Sequence, residues 1–126
     1  MTRDDVQRWL DAYVDAWRTY DAAAIGALFA ADARYAYQPY REPTIGRDAI
    51  VADWLESPDP AGSWEAHYEP YAVDGERAVA VGTSRYLNDD GSQRTLFYNV
   101  WLLRFDAEGR CTEFVEYWRE HPAAQD

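Results

Sequence analysis

The amino-acid sequence predicts an α+β fold in which N-terminal helices pack on a strongly curved antiparallel sheet. Helical spacing of apolar residues dominates the chain up to Leu55, whereas three turn signals divide the remainder into segments rich in aromatic and β-branched residues. The length of 126 residues and the hydrophobic content of 48% suit one ordinary core. We therefore expect a single domain that spans residues 1–126.

Three helices are expected ahead of the sheet. From Asp4 to Tyr20 the apolar residues share one side of a helical wheel and the charged residues take the other. Asp21 is a favourable N-cap for a second, Ala-rich helix that should end near Ala31-Asp32. A short strand is predicted over Arg34–Tyr37, and helical spacing returns over Arg47–Leu55.

Four long strands are expected after the third helix. A proline-rich loop at Ser57–Ser63 ends the helical part and is a candidate for the mouth of a pocket. The turn signals predict an antiparallel meander with strands over Trp64–Val73, Arg77–Leu87, Arg94–Phe105 and Cys111–Arg119. Strands of this length in a small sheet must twist and bend strongly, so the helices can sit in the concavity and leave a cleft.

Charge and composition argue against several classes of function. The formal net charge of −11 at pH 7, with no cluster of Lys or Arg, disfavours nucleic acid and anionic membranes as partners. The single cysteine, Cys111, rules out an intramolecular disulfide and a thiolate zinc cluster. Nucleotide-binding glycine loops, HExxH and GxSxG are missing, so we expect no cofactor and no metal. The sequence shows no apolar leader segment and no apolar stretch long enough to span a membrane, so we expect a cytoplasmic location.

Two segments carry a resemblance to a known family. A helix start at Gly46-Arg-Asp-Ala-Ile50 and an ending at Arg104-Phe-Asp-Ala-Glu-Gly-Arg-Cys-Thr-Glu-Phe-Val-Glu-Tyr-Trp118 accompany the three helices and the meander. Over nearly its whole length the chain resembles the nuclear transport factor 2-like superfamily, and within it the SnoaL-like branch. The resemblance implies a cone-shaped α+β barrel around an open apolar pocket, a homodimer through the outer sheet face, and no cofactor. Members of the superfamily include isomerases, cyclases and dehydratases, alongside binding domains without chemistry.

Glu116 is the leading candidate for a catalytic acid or base. Residues two apart on a strand share a face, and on the last strand Glu116 lies between Phe114 and Trp118. If this face is concave, loss of solvation would raise the pKa of the carboxyl group toward neutrality. The alternative is a structural carboxylate at a sheet edge or dimer rim, paired with an arginine.

The preceding strand predicts both a polar contact and a subunit interface. Asn99 is the single amide in a row with Phe97 and Trp101, where it could donate to a ligand oxygen or be satisfied by a neighbouring side chain. The opposite row, from Leu96 to Arg104, is also apolar. One face should therefore meet the helices and the other a second copy of the chain.

Aromatic side chains are expected to wall the pocket. The chain holds 6 Trp and 10 Tyr, more than packing alone usually needs, although an aromatic-rich core or interface would also explain them. The expected ligand-binding residues are Tyr13, Trp17, Tyr35, Tyr37, Trp54, Trp101 and Trp118.

His67 is a further candidate for a catalytic base. It shares its strand face with Glu65, Glu69 and Tyr71, which favours a position at the surface or in an interface. If a bulge shifted the parity of the strand, His67 would face the pocket and would replace Glu116 as the leading candidate for the base.

Three functions are compatible with these residues. The first is a cofactor-independent isomerase, cyclase or dehydratase in which Glu116 moves a proton on a small apolar substrate while Asn99 or a tyrosine holds the substrate oxygen. The second is a binding module that uses the same cavity without chemistry. The third is a dimerisation domain whose cavity is filled by its own side chains. The resemblance leans toward the first.

Overall fold

The computed structural model describes residues 1–122, which form three helices packed against one curved sheet. The helices are α1 (Arg3–Thr19), α2 (Ala22–Ala27) and α3 (Arg47–Glu56). The strands are β1 (Phe29–Ala36), β2 (Thr44–Ile45), β3 (Trp64–Asp74), β4 (Arg77–Leu87), β5 (Gln93–Phe105) and β6 (Cys111–Glu120). The predicted α+β fold, with N-terminal helices on a curved sheet, is confirmed.

The sheet has the strand order β2-β1-β6-β5-β4-β3 and does not close on itself. Strands β3 to β6 form the predicted antiparallel meander. The sheet is mixed, however, because β1 pairs in parallel with β6. This pairing joins the N-terminal part of the chain to its last strand in one hydrogen-bonded layer.

The second helix is shorter than the sequence predicts. It ends at Ala27, and Phe29, which is fully buried, begins β1 opposite Cys111. Burial of the Phe29 ring outweighs the helix propensity of the alanines that follow it. The helix end expected near Ala31-Asp32 is therefore wrong, and the strand predicted at Arg34–Tyr37 begins earlier, with Phe29.

Helix α1 is fixed at both ends and tied to the sheet. It begins with a capping box formed by Thr2 and Asp5, and it ends at Tyr20, whose left-handed backbone (φ 50°) lets its N–H donate into the last turn at 2.8 Å. The indole N–H of Trp9 donates to the carbonyl oxygen of Leu28 at 2.9 Å. Neither α1 nor another helix within residues 1–122 has the length and apolar character to cross a membrane.

An aromatic core lies between the helices and the sheet. Phe29, Phe105 and Phe114 are fully buried. The ring of Phe114 stacks on that of Tyr35, with centroids 4.1 Å apart and planes 4° apart. Interlocked rings of this kind have little freedom to rearrange, so the core forms a rigid floor beneath the site described below.

Strands β3 and β4 approach closely at Gly82, which pairs with Tyr68. A Cβ atom at this position would overlap the carbonyl oxygen of His67 and would lie 2.8 Å from the Cα atom of Tyr68. Backbone atoms cannot swing away as the end of a flexible side chain can. The pairing of the two strands therefore requires glycine here.

Replacing Gly82 with alanine should lower the free energy of unfolding by about 1–3 kcal/mol, because the added methyl group forces two backbones apart. Urea denaturation followed by tryptophan fluorescence measures the change. Gly26→Ala is the matched control, since a Cβ atom there makes an ordinary 3.5 Å contact with Arg47, and its stability should be unchanged or higher. Equal effects of the two substitutions would contradict this account of Gly82.

Candidate functional site

The space between the helices and the sheet contains a cavity of about 250 Å³. Its lining combines nine aromatic side chains with two carboxyl groups and two serine hydroxyl groups. The lining residues are Tyr13, Trp17, Tyr20, Tyr35, Tyr37, Asp53, Trp54, Ser57, Tyr68, Ser84, Tyr86, Trp101 and Glu116. They come from two helices, five strands and the positions that directly follow α1, β1 and α3, so the cavity exists only once the helices and the sheet have assembled.

Glu116 stands on the inner face of β6, where the register places it directly opposite Trp101 of β5. Its Oε2 atom accepts hydrogen bonds from Asn99 Nδ2 at 2.6 Å and from Trp101 Nε1 at 3.0 Å. Because both bonds fall on the same oxygen, Oε1 is the atom left to meet a ligand. The structure thus places this predicted residue in the cavity.

Burial dominates the electrostatics of Glu116. Desolvation raises the pKa of its carboxyl group, and the hydrogen bonds from Trp101 and Asn99 lower it by a smaller amount. The net result is a pKa above the ordinary value. The group therefore holds its proton to a higher pH than an exposed glutamate does.

Asn99 lies behind this carboxyl group and outside the cavity lining. The residue is 6% exposed, and its Oδ1 atom accepts a hydrogen bond from Ser84 Oγ at 3.0 Å while Nδ2 donates to Glu116. An ionised carboxylate can only accept, so the amide must present its NH₂ group to Glu116. The expectation that Asn99 donates directly to a ligand oxygen has no support in this geometry, which makes it a positioning residue for Glu116.

A pair of buried tyrosines forms the second polar feature of the cavity. The hydroxyl oxygens of Tyr13 on α1 and Tyr35 on β1 lie 2.7 Å apart, so one hydroxyl donates to the other and one proton remains for a ligand. Burial raises the pKa of both phenols well above the ordinary value, and the charge of Glu116 adds to the effect. Both hydroxyl groups therefore stay protonated near neutral pH.

The other predicted aromatic residues fall into two groups. The cavity is lined by Trp17, Tyr37, Trp54 and Trp101. Trp118 does not line it, although it shares the β6 face of Glu116. Its ring is 41% exposed, packs edge-on against Phe97 with centroids 5.3 Å apart, and borders a shallow groove on the outer side. The prediction that Trp118 walls the pocket is wrong.

His67 lies on the outer face of the sheet. The pairing of β3 with β4 is regular from Trp64 to Pro70, so the parity of the strand keeps His67 exposed while Tyr68 faces the cavity. The register shift in this pairing comes only after Pro70. The prediction of His67 as a base in this cavity is therefore wrong.

Several lining residues are not anticipated by the sequence patterns. They are Tyr20, Asp53, Ser57, Tyr68, Ser84 and Tyr86. A signal for Tyr68 exists, because Trp64, Ala66 and Tyr68 alternate with charged residues and so mark the inner row of β3. Asp53 and Ser57 have no such signal, since their position depends on how α3 and the following loop sit over the sheet.

The loop at residues 57–63 borders the mouth of the cavity, and Asp59 ties it to α1. Asp59 Oδ2 accepts hydrogen bonds from Trp17 Nε1 at 2.9 Å and from the Tyr20 hydroxyl at 3.3 Å. The backbone N–H of Asp59 donates to the Tyr20 hydroxyl oxygen at 2.8 Å. Both partners line the cavity, so the position of the loop and the shape of the mouth are coupled.

Known proteins share this architecture. The family model of the SnoaL-like domain matches residues 10–114. An NTF-2 like protein of unknown function from Burkholderia xenovorans LB400 superposes with a TM-score of 0.70 at 19% identity, over 97% of this chain and 88% of that one. A "putative ketosteroid isomerase" from Kribbella flavida DSM 17836 superposes with a TM-score of 0.71 at 19% identity, over 98% of this chain and 84% of its own. Both likenesses concern the fold. No curated protein matches the chain.

The carboxyl group of Glu116 should titrate above the value of about 4.3 that glutamate has in peptides, because burial disfavours the charged form. Carbon-detected NMR measures the midpoint, and Glu116→Gln assigns the signal by removing it. Trp101→Phe removes one donor to the carboxylate and keeps a ring, so it should raise the midpoint further. A midpoint at the peptide value in the unmodified protein would show that the group is solvated.

Proposed function

The chain belongs to the SnoaL-like domain family of the nuclear transport factor 2-like superfamily, and on that basis we propose that its cavity is the active site of a cofactor-independent isomerase. The observation that carries the proposal is the meeting of a desolvated carboxyl group and a buried tyrosine pair in one aromatic cavity. Proton transfer next to a carbonyl group needs both parts: a base with a raised pKa and a donor to the developing oxyanion.

The reaction follows from the two polar features. Ionised Glu116 takes a proton from the carbon next to the substrate carbonyl, and the electron pair of that C–H bond moves through the carbonyl to its oxygen. The free proton of the Tyr13–Tyr35 pair donates to this oxygen as charge develops on it. In a β,γ-unsaturated ketone this step forms a dienolate. Protonated Glu116 then returns the proton to the γ carbon of the dienolate, so the C=C bond moves into conjugation with the carbonyl group. The step consumes no oxidant or reductant.

Asn99 and Trp101 keep this base usable. Their hydrogen bonds favour the charged form of Glu116 and so oppose the desolvation that raises its pKa. They also occupy Oε2, which directs Oε1 toward the substrate. The two residues act through Glu116 and not on the reacting atoms.

The size and walls of the cavity support a small, largely apolar substrate. Cavities that bind drug-sized ligands measure about 300–1,000 Å³. The volume here is about 250 Å³, and nine of the lining residues are aromatic. A molecule with one or two rings and a carbonyl group suits this space better than a long chain.

Isomerisation of a β,γ-unsaturated cyclohexenone to its conjugated isomer, followed by ultraviolet absorbance, tests the proposal. Glu116→Gln should lower the rate by a factor of about 10²–10⁴, and Tyr13→Phe should lower it by about 10²–10³. Since only ionised Glu116 removes a proton, the rate should rise with pH through the raised pKa of that group. His67→Gln on the outer face is the control and should leave the rate unchanged.

Two outcomes of this experiment would contradict the proposal. A rate that survives Glu116→Gln would show that another group moves the proton. Binding of the ketone without turnover or deuterium exchange in the unmodified protein would favour a binding module that uses the same aromatic cavity. Because Gln keeps the shape of Glu, the variant should still bind the ketone in either case.

We also propose that the outer face of the sheet forms a homodimer. Four apolar or aromatic side chains are markedly exposed there: Tyr98 (46%), Val100 (39%), Leu102 (41%) and Tyr117 (43%). They lie side by side on β5 and β6. A contiguous apolar patch of this kind on a sheet is typical of a protein–protein interface, and the same patch on two copies of the chain can form a two-fold symmetric interface.

Val100→Glu should convert the dimer to a monomer, because the register pairs Val100 directly with Tyr117 across β5 and β6 and the new charge would be buried without a partner. Analytical ultracentrifugation of both proteins at micromolar concentration measures the change. Leu55→Glu is the control, since it places the same charge on an exposed apolar residue of α3. A monomeric unmodified protein would rule out this interface.

A further inference from the structure

The charged side chains that line the cavity are all acidic. Among the described residues that line it, Glu116 and Asp53 are the ionisable groups other than tyrosine, and lysine, arginine and histidine do not occur. Asp53 is half-buried and accepts a hydrogen bond from Thr44 Oγ1 at 2.7 Å, which fixes its carboxylate at the wall. An anionic ligand would enter without a counter-charge, whereas a cationic ligand would find two.

The aromatic side chains of the cavity also favour a cationic ligand. The face of an aromatic ring carries partial negative charge and attracts a cation placed over it, by about 0.5–2 kcal/mol per ring. Rings that border the cavity already hold a cation from outside, since the guanidinium carbon of Arg94 lies 5.9 Å from the ring centroid of Tyr86. Nine aromatic residues around one small space therefore make a cage in which a positive charge can touch several faces.

The negative charge of Glu116 affects the tyrosines that line the cavity. The charge of Glu116 contributes to the raised pKa of Tyr13, Tyr35, Tyr37, Tyr68 and Tyr86, in each case after the effect of burial. Tyr13 lies on α1, the others lie on or directly after three strands, and the negative potential of Glu116 therefore extends across the cavity. This potential favours a cation bound there.

We propose that the molecule bound in this cavity carries a positive charge, as an ammonium group on an otherwise apolar, carbonyl-containing skeleton. The reaction named for this molecule rests on the proposed function, whereas its charge rests on the lining alone. A carboxylate or phosphate ester of the same size is excluded by the same side chains. The net charge of −11 for the whole chain adds a long-range attraction for such a ligand.

Three probes of matched shape test the charge preference: choline, its uncharged carbon analogue dimethylbutanol, and the anion dimethylbutyrate. Chemical-shift titration of the Trp101 indole N–H, which lies at the cavity wall, reports the affinity of each. Choline should bind at least about tenfold more tightly than dimethylbutanol, which corresponds to about 1.4 kcal/mol. Dimethylbutyrate should give no saturable shift.

Variants then test whether the carboxyl groups of the cavity cause the preference for choline. Glu116→Gln and Asp53→Asn should each weaken choline binding severalfold and leave dimethylbutanol binding nearly unchanged. Glu69→Gln removes the same charge from the outer face of β3 and should change neither affinity. An equal loss in all three variants would trace the attraction to the net charge of the protein and would overturn the proposal.

The result separates this inference from the proposed function. If dimethylbutanol binds as tightly as choline, or if choline causes no shift at Trp101, the charge preference is wrong, while the ketone experiment with Glu116→Gln still decides the chemistry. If choline is preferred but ketone isomerisation is unaffected by Glu116→Gln, the cavity binds cations and the proposed reaction is wrong.

Discussion

The site depends on the antiparallel register that sets β4, β5 and β6 side by side. Side chains alternate between the two faces of a strand, so this register places Ser84, Asn99 and Glu116 in one diagonal row on the inner face, each hydrogen-bonded to the next. A slip of one residue would carry the last of them to the outer face. The carboxyl group is therefore positioned by backbone pairing between strands that are distant in sequence.

The features that make the cavity chemically useful also cost stability. Burial of a carboxyl group and several phenols is unfavourable unless each finds a hydrogen-bond partner. Two donors compensate Glu116, and Tyr13 and Tyr35 compensate each other. The stacking of Tyr35 on Phe114 keeps the rings from collapsing into the open space. A core filled with aliphatic side chains would be more stable and would have no site.

Much of this arrangement could be predicted from sequence, because strand parity is a local property. The alternation in β6 put Glu116 on one face with Phe114 and Trp118, which made it the candidate base if that face was concave, and the spacing of turns located the meander. Two features could not be predicted, because they depend on contacts between residues that are distant in sequence. They are the hydrogen bonds of Asn99 and Trp101 to the Glu116 carboxylate and the start of a strand at Phe29. The position of Trp118 outside the cavity was not predicted either, because strand parity shows which face a residue takes but not how far along the strand the cavity extends.

The charge of the cavity and the pKa of Glu116 are linked. Desolvation raises the pKa of Glu116, and only its ionised carboxylate can remove a proton from carbon. An ammonium group bound beside Glu116 would favour the ionised form of this carboxylate and so lower its pKa. A cationic ligand would thus keep the base ionised to a lower pH. A neutral ligand of the same shape would lack this effect, so one side chain would serve both for selection of the substrate and for its reaction.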